Sequence, residues 1–285
     1  MRLIEKVWFN KHRAKYWLVP LLLPLTCLFY LLSAIRRFAF SVGILKSVQV
    51  SKPVIVVGNI GVGGNGKTPV VVHLVAVAQT LGFTPGVISR GYGGVAEQYP
   101  YLLNDNSTSS EAGDEPILIY QRCHVPVAVG ADRVANAQLL IEQGCDVIIS
   151  DDGLQHYRLK RDLELIVVDG KRLFGNGLLL PAGPLREGSW RLGQADIVIY
   201  NGAKPADTNM CTNKSLLMIL AASEVVHIKT GEKVLLANFL NQQHKVNAIA
   251  GIGDPPRFFA TLAALGFSLE KQQGFIDHKD FTIDD

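Results

Sequence analysis

Eight residues constrain this chain more than any others. Gly61-Val62-Gly63-Gly64-Asn65-Gly66-Lys67-Thr68 match the phosphate-loop pattern G-x-x-x-x-G-K-[ST] at every fixed position. The apolar run Val54-Ile55-Val56-Val57 precedes them, and a helix-like stretch, Pro69 to Leu81, follows. A glycine loop between a strand and a helix lets backbone N–H groups close around an anion, and the helix N-terminus adds partial positive charge at the same point. Lys67 then reaches the β/γ-phosphates of a nucleoside triphosphate, and the Thr68 hydroxyl ligates Mg²⁺. A glycine-rich turn that matched by chance would not carry the right element on both sides.

At 285 residues the chain fits one large or two modest domains. Hydrophobic residues make up 48%, enough for a sizeable core, and a formal net charge of +3 argues against a dedicated nucleic-acid binder. Cys27, Cys123, Cys145 and Cys211 are scattered with no C-x-x-C pair. That spacing speaks against a zinc site and against a disulfide framework, and for reduced thiols in a cytosolic body.

The N-terminus departs from a soluble profile. Trp17 to Ile35 is an uncharged, leucine-rich stretch of 19 residues, preceded by Lys11, Arg13 and Lys15 and followed by Arg36 and Arg37. Its length suits a bilayer crossing, although Pro20 and Pro24 would bend or interrupt a helix there. Basic residues on both flanks leave orientation undecided, and a helix lying among the headgroups with Trp8, Tyr16 and Trp17 at the interface fits equally well. A buried core helix is the bland alternative. The long basic prelude, with no small-residue cleavage site, argues against a signal peptide.

Beyond this segment, Val- and Ile-rich runs alternate with helical stretches. Strands are expected at Val54–Gly58, Gly86–Ser89, Val125–Val129, Val147–Ser150, Leu165–Asp169 and Ile197–Tyr200, and helices at Thr68–Leu81, Glu115–Gln121 and Asp132–Gln143. This pattern predicts an α/β fold: a mostly parallel, P-loop NTPase-like sheet with helices on both faces and ligands beyond the carboxyl ends of the strands. A polar stretch from Gly202 to Asn213 reads as a linker. After it, strands at Leu216–Leu220, Val225–Ile228 and Val246–Ala250 and a helix near Pro256–Leu265 suggest a second, smaller α/β unit. The organisation expected is a membrane-associated helix over 1–45, a P-loop core over 46–205 and a smaller domain over 206–285. That last domain stops at Asp285 without a terminating helix, so it is expected to be truncated.

Several other residues suit phosphate chemistry. Asp151 and Asp152 end the run Val147-Ile148-Ile149-Ser150, where acidic residues at a strand tip complete a phosphate-loop site by holding Mg²⁺. Ser89-Arg90-Gly91-Tyr92-Gly93-Gly94 is a second glycine-rich turn whose arginine suits bidentate phosphate contacts. It is read as substrate-binding, with a plain flexible bend as the alternative. Asp114, in Gly113-Asp114-Glu115-Pro116, is either a helix N-cap or a general base near the γ-phosphate, and spacing alone does not choose. His156 and His278 have suggestive acidic neighbours, whereas His73 reads as a satisfied core residue. The loop Leu180-Pro181-Ala182-Gly183-Pro184-Leu185-Arg186-Glu187 either closes over the nucleotide or caps the sheet.

Together these segments resemble the tetraacyldisaccharide 4′-kinase family, the lipid A 4′-kinases of Gram-negative bacteria. The likeness covers nearly the whole chain. It runs from the apolar N-terminal helix through Val57-Gly58-Asn59-Ile60, the phosphate loop, Ser89–Gly93, Gly113–Pro116 and Val129-Gly130-Ala131-Asp132-Arg133. It continues through Asp151–His156, Leu180–Glu187 and Gly251-Ile252-Gly253. Phe275-Ile276-Asp277-His278 stands where the family has Pro-Asp-His, with Ile276 in place of proline.

The resemblance implies transfer of the ATP γ-phosphate to the 4′-hydroxyl of a tetraacyldisaccharide 1-phosphate. It implies Asp114 as catalytic base paired with His278, which closure of the two domains would bring together. Lys67 and the loop residues 61–68 hold ATP. Thr68, Asp151 and Asp152, with Glu187 contributing, hold Mg²⁺. Ser89, Arg90, Gly91, Tyr92 and Arg186 bind the acceptor. The implied partners are the membrane lipid substrate and the inner-membrane surface, with the catalytic body facing the cytoplasm, no nucleic acid, and a monomeric enzyme.

Two other classes share these features. A membrane-recruited P-loop ATPase that switches partners needs the loop, the carboxylates and the helix, but not Asp114, His278 or the Ser89–Gly94 turn. A single-pass membrane protein with an incidental glycine loop would not bind ATP-Mg²⁺ at all.

Overall fold

The computed structural model describes residues 3–9, 11–205 and 214–275. They form two compact units, one reaching Met218 and the other starting at Ile219. The first unit opens with α1 (Leu3–Trp8) and the long α2 (Lys15–Ser41). It continues with β1 (Val54–Gly58), α3 (Lys67–Thr80), β2 (Pro85–Ser89), β3 (Tyr101–Leu102), α4 (Ser109–Ala112), α5 (Asp114–Cys123), β4 (Val127–Val129) and α6 (Arg133–Glu142). It ends with β5 (Val147–Asp151), β6 (Leu163–Asp169), a 3₁₀ turn over Ser189–Gln194, β7 (Ile197–Asn201) and β8 (Ser215–Met218).

The eight strands make one sheet in the order β3-β4-β2-β5-β1-β6-β7-β8. Every neighbouring pair is parallel except the edge pair β3–β4. The strands are continuous apolar runs because both faces are covered. Alternate side chains then serve two cores. Val57, Ile149 and Leu165 pack with Val71 and Val75 of α3 and Ile119 of α5. Val56 and Ile148 pack on the other face with Val134, Ala137 and Leu140 of α6. Each such side chain, fully buried, contributes about 1.5–3 kcal/mol. Over β6 and β7 no helix covers that second face among the described residues. Loop residues Leu154 and Leu185, with Leu192 of the 3₁₀ turn, close over Ile166, Val168 and Val198 instead.

α2 runs unbroken through Pro20 and Pro24, contrary to the expected interruption. Each proline removes one donor from the ladder, and the flanking turns carry the helix across. α2 is long and apolar enough to cross a membrane, and only 6% of its most apolar window is buried. That excludes the core-helix reading. One strip touches the body. Thr26 Oγ1 accepts from Ala182 N at 3.0 Å, Arg36 Nη1 donates to Gln155 O at 3.1 Å, and the Arg37 guanidinium lies 5.1 Å from the Trp190 ring centre.

The strand expected at Leu216–Leu220 forms as β8, which pairs with β7 and so completes the large sheet. The second unit contains a hairpin of β9 (Glu224–Val226) and β10 (Lys233–Leu235), then α7 (Leu236–Gln242). After these, β11 (Lys245–Ala250) and β12 (Ser268–Gly274) pair in parallel around α8 (Pro255–Ala264). Ala248, Ala250 and Phe259 form its small core. Residues 206–213 of the expected linker, with Cys211, lie outside the described residues.

A candidate active site at the carboxyl edge of the sheet

A parallel sheet delivers all its strand ends to one edge, and the polar residues of this chain collect there. The phosphate loop leaves β1 and enters α3 at Gly66, whose φ is +90°. A Cβ at that position would lie 2.4 Å from Asn201 Nδ2. The same Nδ2 donates to Asn65 O at 3.1 Å, so the tip of β7 buttresses the loop from below. From the side, Val62 N donates to Pro184 O at 2.8 Å and Arg186 N donates to Ile60 O at 2.7 Å. The Leu180–Glu187 segment therefore braces the loop's entrance by main-chain pairing.

Lys67 is the first residue of α3. Its ammonium stands 3.4 Å from Asn59 Oδ1 and 3.7 Å from Asp152 Oδ1. Arg186 Nη1 approaches the same carboxylate, 3.1 Å from Oδ2. Burial works to raise the Asp152 carboxyl, but Lys67 and Arg186 outweigh it and hold it below the ordinary carboxylate range. Asp151 behaves oppositely. It is 1% exposed, and neither carboxylate oxygen has a hydrogen-bond partner among the described residues. Burial first, and then the negative charge of Glu115, push its carboxyl up to about 7 despite Lys67. The buried Arg133 is tied to the Asp151 main-chain carbonyl at 3.3 Å, and burial lowers its own pKa to about 10. Two adjacent carboxylates thus differ sharply: one is neutralised by cations, while the other is buried with unused acceptors. An orphaned carboxylate within electrostatic reach of the phosphate-loop Lys67 fits a hard divalent cation, which takes oxygen ligands.

Asp114 is not an N-cap. Gly113 occupies that place, and Asp114 is the first residue of α5, exposed on its surface. Gly113 has φ +85°, and a Cβ there would meet Tyr92 O at 2.5 Å. The turn carrying Arg90 and Tyr92 therefore packs directly against the start of α5. Ser89 is buried at the end of β2, whereas Arg90 and Tyr92 are exposed.

Three expectations need correction or lie beyond view. Glu187 is buried, its Oε1 accepts from the Tyr157 hydroxyl, and its Oε2 is 3.3 Å from Arg191 Nε. Its carboxylate belongs to an ion network inside the fold, with Arg191 also pairing Glu164. His73 is exposed on α3 rather than in the core. His278 lies outside the described residues. His156 is half-buried and, through burial and then the positive charge of Arg133 and Arg36, titrates at about 4. It is a neutral ring at physiological pH. Sequence reasoning passed over Asn59, Asn201 and Gln155. The available signal was the same for each: a lone amide at the end of an apolar run or beside an acidic pair, on the edge where the ligands go.

Comparison with known proteins agrees with this geometry. A family model described as tetraacyldisaccharide-1-P 4′-kinase matches residues 18–285. A tetraacyldisaccharide 4′-kinase from Colwellia psychrerythraea is 64% identical over 285 residues, covering 100% of this chain and 83% of the relative. One from Vibrio parahaemolyticus is 47% identical over 279 residues, covering 98% and 80%. Among solved structures, LpxK from Aquifex aeolicus in complex with ATP superposes with a TM-score of 0.78 at 30% identity, covering 93% of this chain and 85% of that one.

Proposed function

The chain belongs to the tetraacyldisaccharide-1-P 4′-kinase family, and on that premise we propose how its residues move the ATP γ-phosphate to the 4′-hydroxyl of a tetraacyldisaccharide 1-phosphate. It is an ATP-dependent kinase of lipid A biosynthesis. The observation that carries the mechanism is the convergence at one edge of an amide-lined loop, an ammonium and an orphaned carboxylate.

The loop amides of residues 61–68 and the Lys67 ammonium take the β/γ-phosphates. The Thr68 hydroxyl and the Asp151 carboxylate, with Asp152 next in the chain, would hold the metal. Bound Mg²⁺ supplies charge neutralisation on the phosphoryl group being transferred. Asp114 accepts the proton of the attacking sugar hydroxyl, and His278, its partner by family resemblance, assists. Arg90, Tyr92 and the adjacent Ser89 and Gly91 receive the acceptor on the turn that faces α5. Arg186 sets Asp152.

α2 engages the inner membrane with the catalytic body on the cytoplasmic side, where ATP is supplied. Drawing acyl chains into water costs about 0.8 kcal/mol per CH₂, and an enzyme working at the interface avoids most of it. The enzyme acts as a monomer.

The test is incubation with γ-labelled ATP and the disaccharide lipid in detergent. The wild type moves label into lipid. Asp114→Ala loses about 10²–10⁴-fold in turnover while keeping its nucleotide affinity, and Lys67→Ala loses both. Undiminished turnover in Asp114→Ala removes it from the mechanism.

A further inference from the structure

Lys67 does not choose its position alone. Asn59 offers it an acceptor at 3.4 Å through Oδ1 while donating from Nδ2 to Gly63 O at 3.4 Å. That pattern fixes the amide orientation, since an ammonium can only donate and a carbonyl can only accept. Asn59 is itself held through its main chain, where Gln155 Nε2 donates to Asn59 O at 3.2 Å. The carbonyl of Gln155 in turn accepts from Arg36 Nη1, on α2, at 3.1 Å. The Arg36 guanidinium is also packed 5.6 Å from the Phe40 ring centre and 5.7 Å from that of Tyr157. A second route runs beside the first. The Tyr157 hydroxyl donates to Glu187, and Glu187 N donates to Ile60 O at 3.2 Å. Both routes leave the basic end of α2 and arrive at Asn59 and Ile60, the two residues before the phosphate loop.

We propose that Gln155 is a positioning residue for Lys67, and that Arg36 makes it responsive to how the apolar helix is seated. The geometry supports this because the Gln155 amide is, among the described residues, the one hydrogen-bonded bridge from α2's contact to Asn59. The neighbouring Arg37 points elsewhere, stacking on Trp190, and so provides an internal control on the same helix. The inference rests on the nucleotide-binding half of the proposed function, not on its lipid half.

The experiment measures ATP-Mg²⁺ affinity by calorimetry on the full chain in detergent, beside the KM values for ATP and for lipid. Gln155→Ala and Gln155→Glu both remove the donor, the second with little change of size. Each raises the Kd and KM for ATP about 3–10-fold, the worth of one hydrogen bond, and leaves the lipid KM unchanged. Arg36→Ala raises the ATP Kd by a smaller factor, about 2–5-fold, Arg36→Lys recovers part of it, and Arg37→Ala leaves nucleotide affinity at the wild-type value. Should Gln155→Ala fold poorly, Gln155→Glu decides alone. Wild-type ATP affinity in a folded Gln155→Glu protein overturns the proposal, as does an equal loss in Arg37→Ala. A wild type that binds ATP yet labels no lipid would sink the kinase mechanism and leave this relay standing.

Discussion

Two regions of this protein break the same rule in opposite directions. At the carboxyl edge of the sheet, Asp151 is 1% exposed with no hydrogen-bond partner for either carboxylate oxygen among the described residues. Along α2, Leu21 is 65% exposed and Phe38 63%. A carboxylate belongs in water and a leucine belongs in a core. Each misplacement costs stability in the protein alone, and under the proposed function each becomes favourable when its surroundings arrive: a divalent cation with phosphates for one, hydrocarbon for the other. Sites of function show where a chain violates the burial pattern it otherwise obeys.

If the regions do separate jobs, each can be damaged while the other is spared. The largest effect belongs to the helix. Replacing the exposed Leu21, Leu25, Leu28 and Leu32 by glutamine removes at least about 4 kcal/mol of apolar burial, on the order of a thousandfold in vesicle partitioning measured by sedimentation. In detergent, where no bilayer seats the helix of either protein, the ATP affinity of that variant stays near wild type, because none of the four residues makes the Arg36 contact to Gln155; a matching loss of ATP affinity there would merge the two regions beyond that single contact.

Next comes Lys67→Ala, for which lipid phosphorylation falls about 10²–10³-fold, as for removal of one fixed charge-stabilising group. Its sedimentation with vesicles is unchanged.

Asp151→Asn sharpens the contrast through stability. The folded carboxyl titrates at about 7, whereas the unfolded one titrates near 4. Between those values the folded state holds the extra proton, so rising pH destabilises it, and the full penalty applies above pH 7. In metal- and nucleotide-free protein at pH 8, Asp151→Asn therefore melts higher by roughly 2–6 °C, corresponding to about 1–2 kcal/mol, and is inactive. At pH 4 the difference vanishes. A lower melting temperature at pH 8 would show that the buried carboxylate is not strained.

His156 gives the smallest effect and the opposite sign. Its folded value of about 4 lies below the ordinary value near 6.5, so the unfolded chain takes up a proton first as pH falls. Stability drops from about pH 6.5 toward pH 4. His156→Gln flattens that part of the melting-temperature profile, and an unaltered profile would show that the ring is solvated.

The sheet was legible because its chemistry is local. Val- and Ile-rich runs bounded by glycine, a phosphate loop with its lysine, and paired aspartates after a buried strand each declare themselves within a few residues. Long-range partnerships left weaker traces. β3 is two residues long and antiparallel, with no pattern to announce it. β8 reads as part of a separate unit, because only pairing with β7 across an intervening polar stretch assigns it to the sheet. Glu187 stands beside Arg186 in a loop that reaches the site, so its neighbourhood suggested a metal ligand. Of its actual partners, Arg191 is only four residues on, but Tyr157 is brought to it by folding at a distance. The same holds for Asn59, Gln155 and Asn201, single amides whose role depends on what the fold brings near them. Asp114 was ambiguous in sequence, since one residue of shift separates an N-cap from the first helical position.

The most direct measurement follows label transfer from γ-labelled ATP to the disaccharide lipid held in vesicles, comparing the wild type with the four-leucine variant as the surface fraction of lipid is varied at constant bulk concentration. A kinase that works at the bilayer through α2 gives a wild-type rate that rises with surface fraction. The variant's rate collapses on vesicles and recovers when the lipid is dispersed in detergent. Equal rates for both proteins on vesicles, independent of surface fraction, would contradict the assignment of α2 to the membrane-bound reaction.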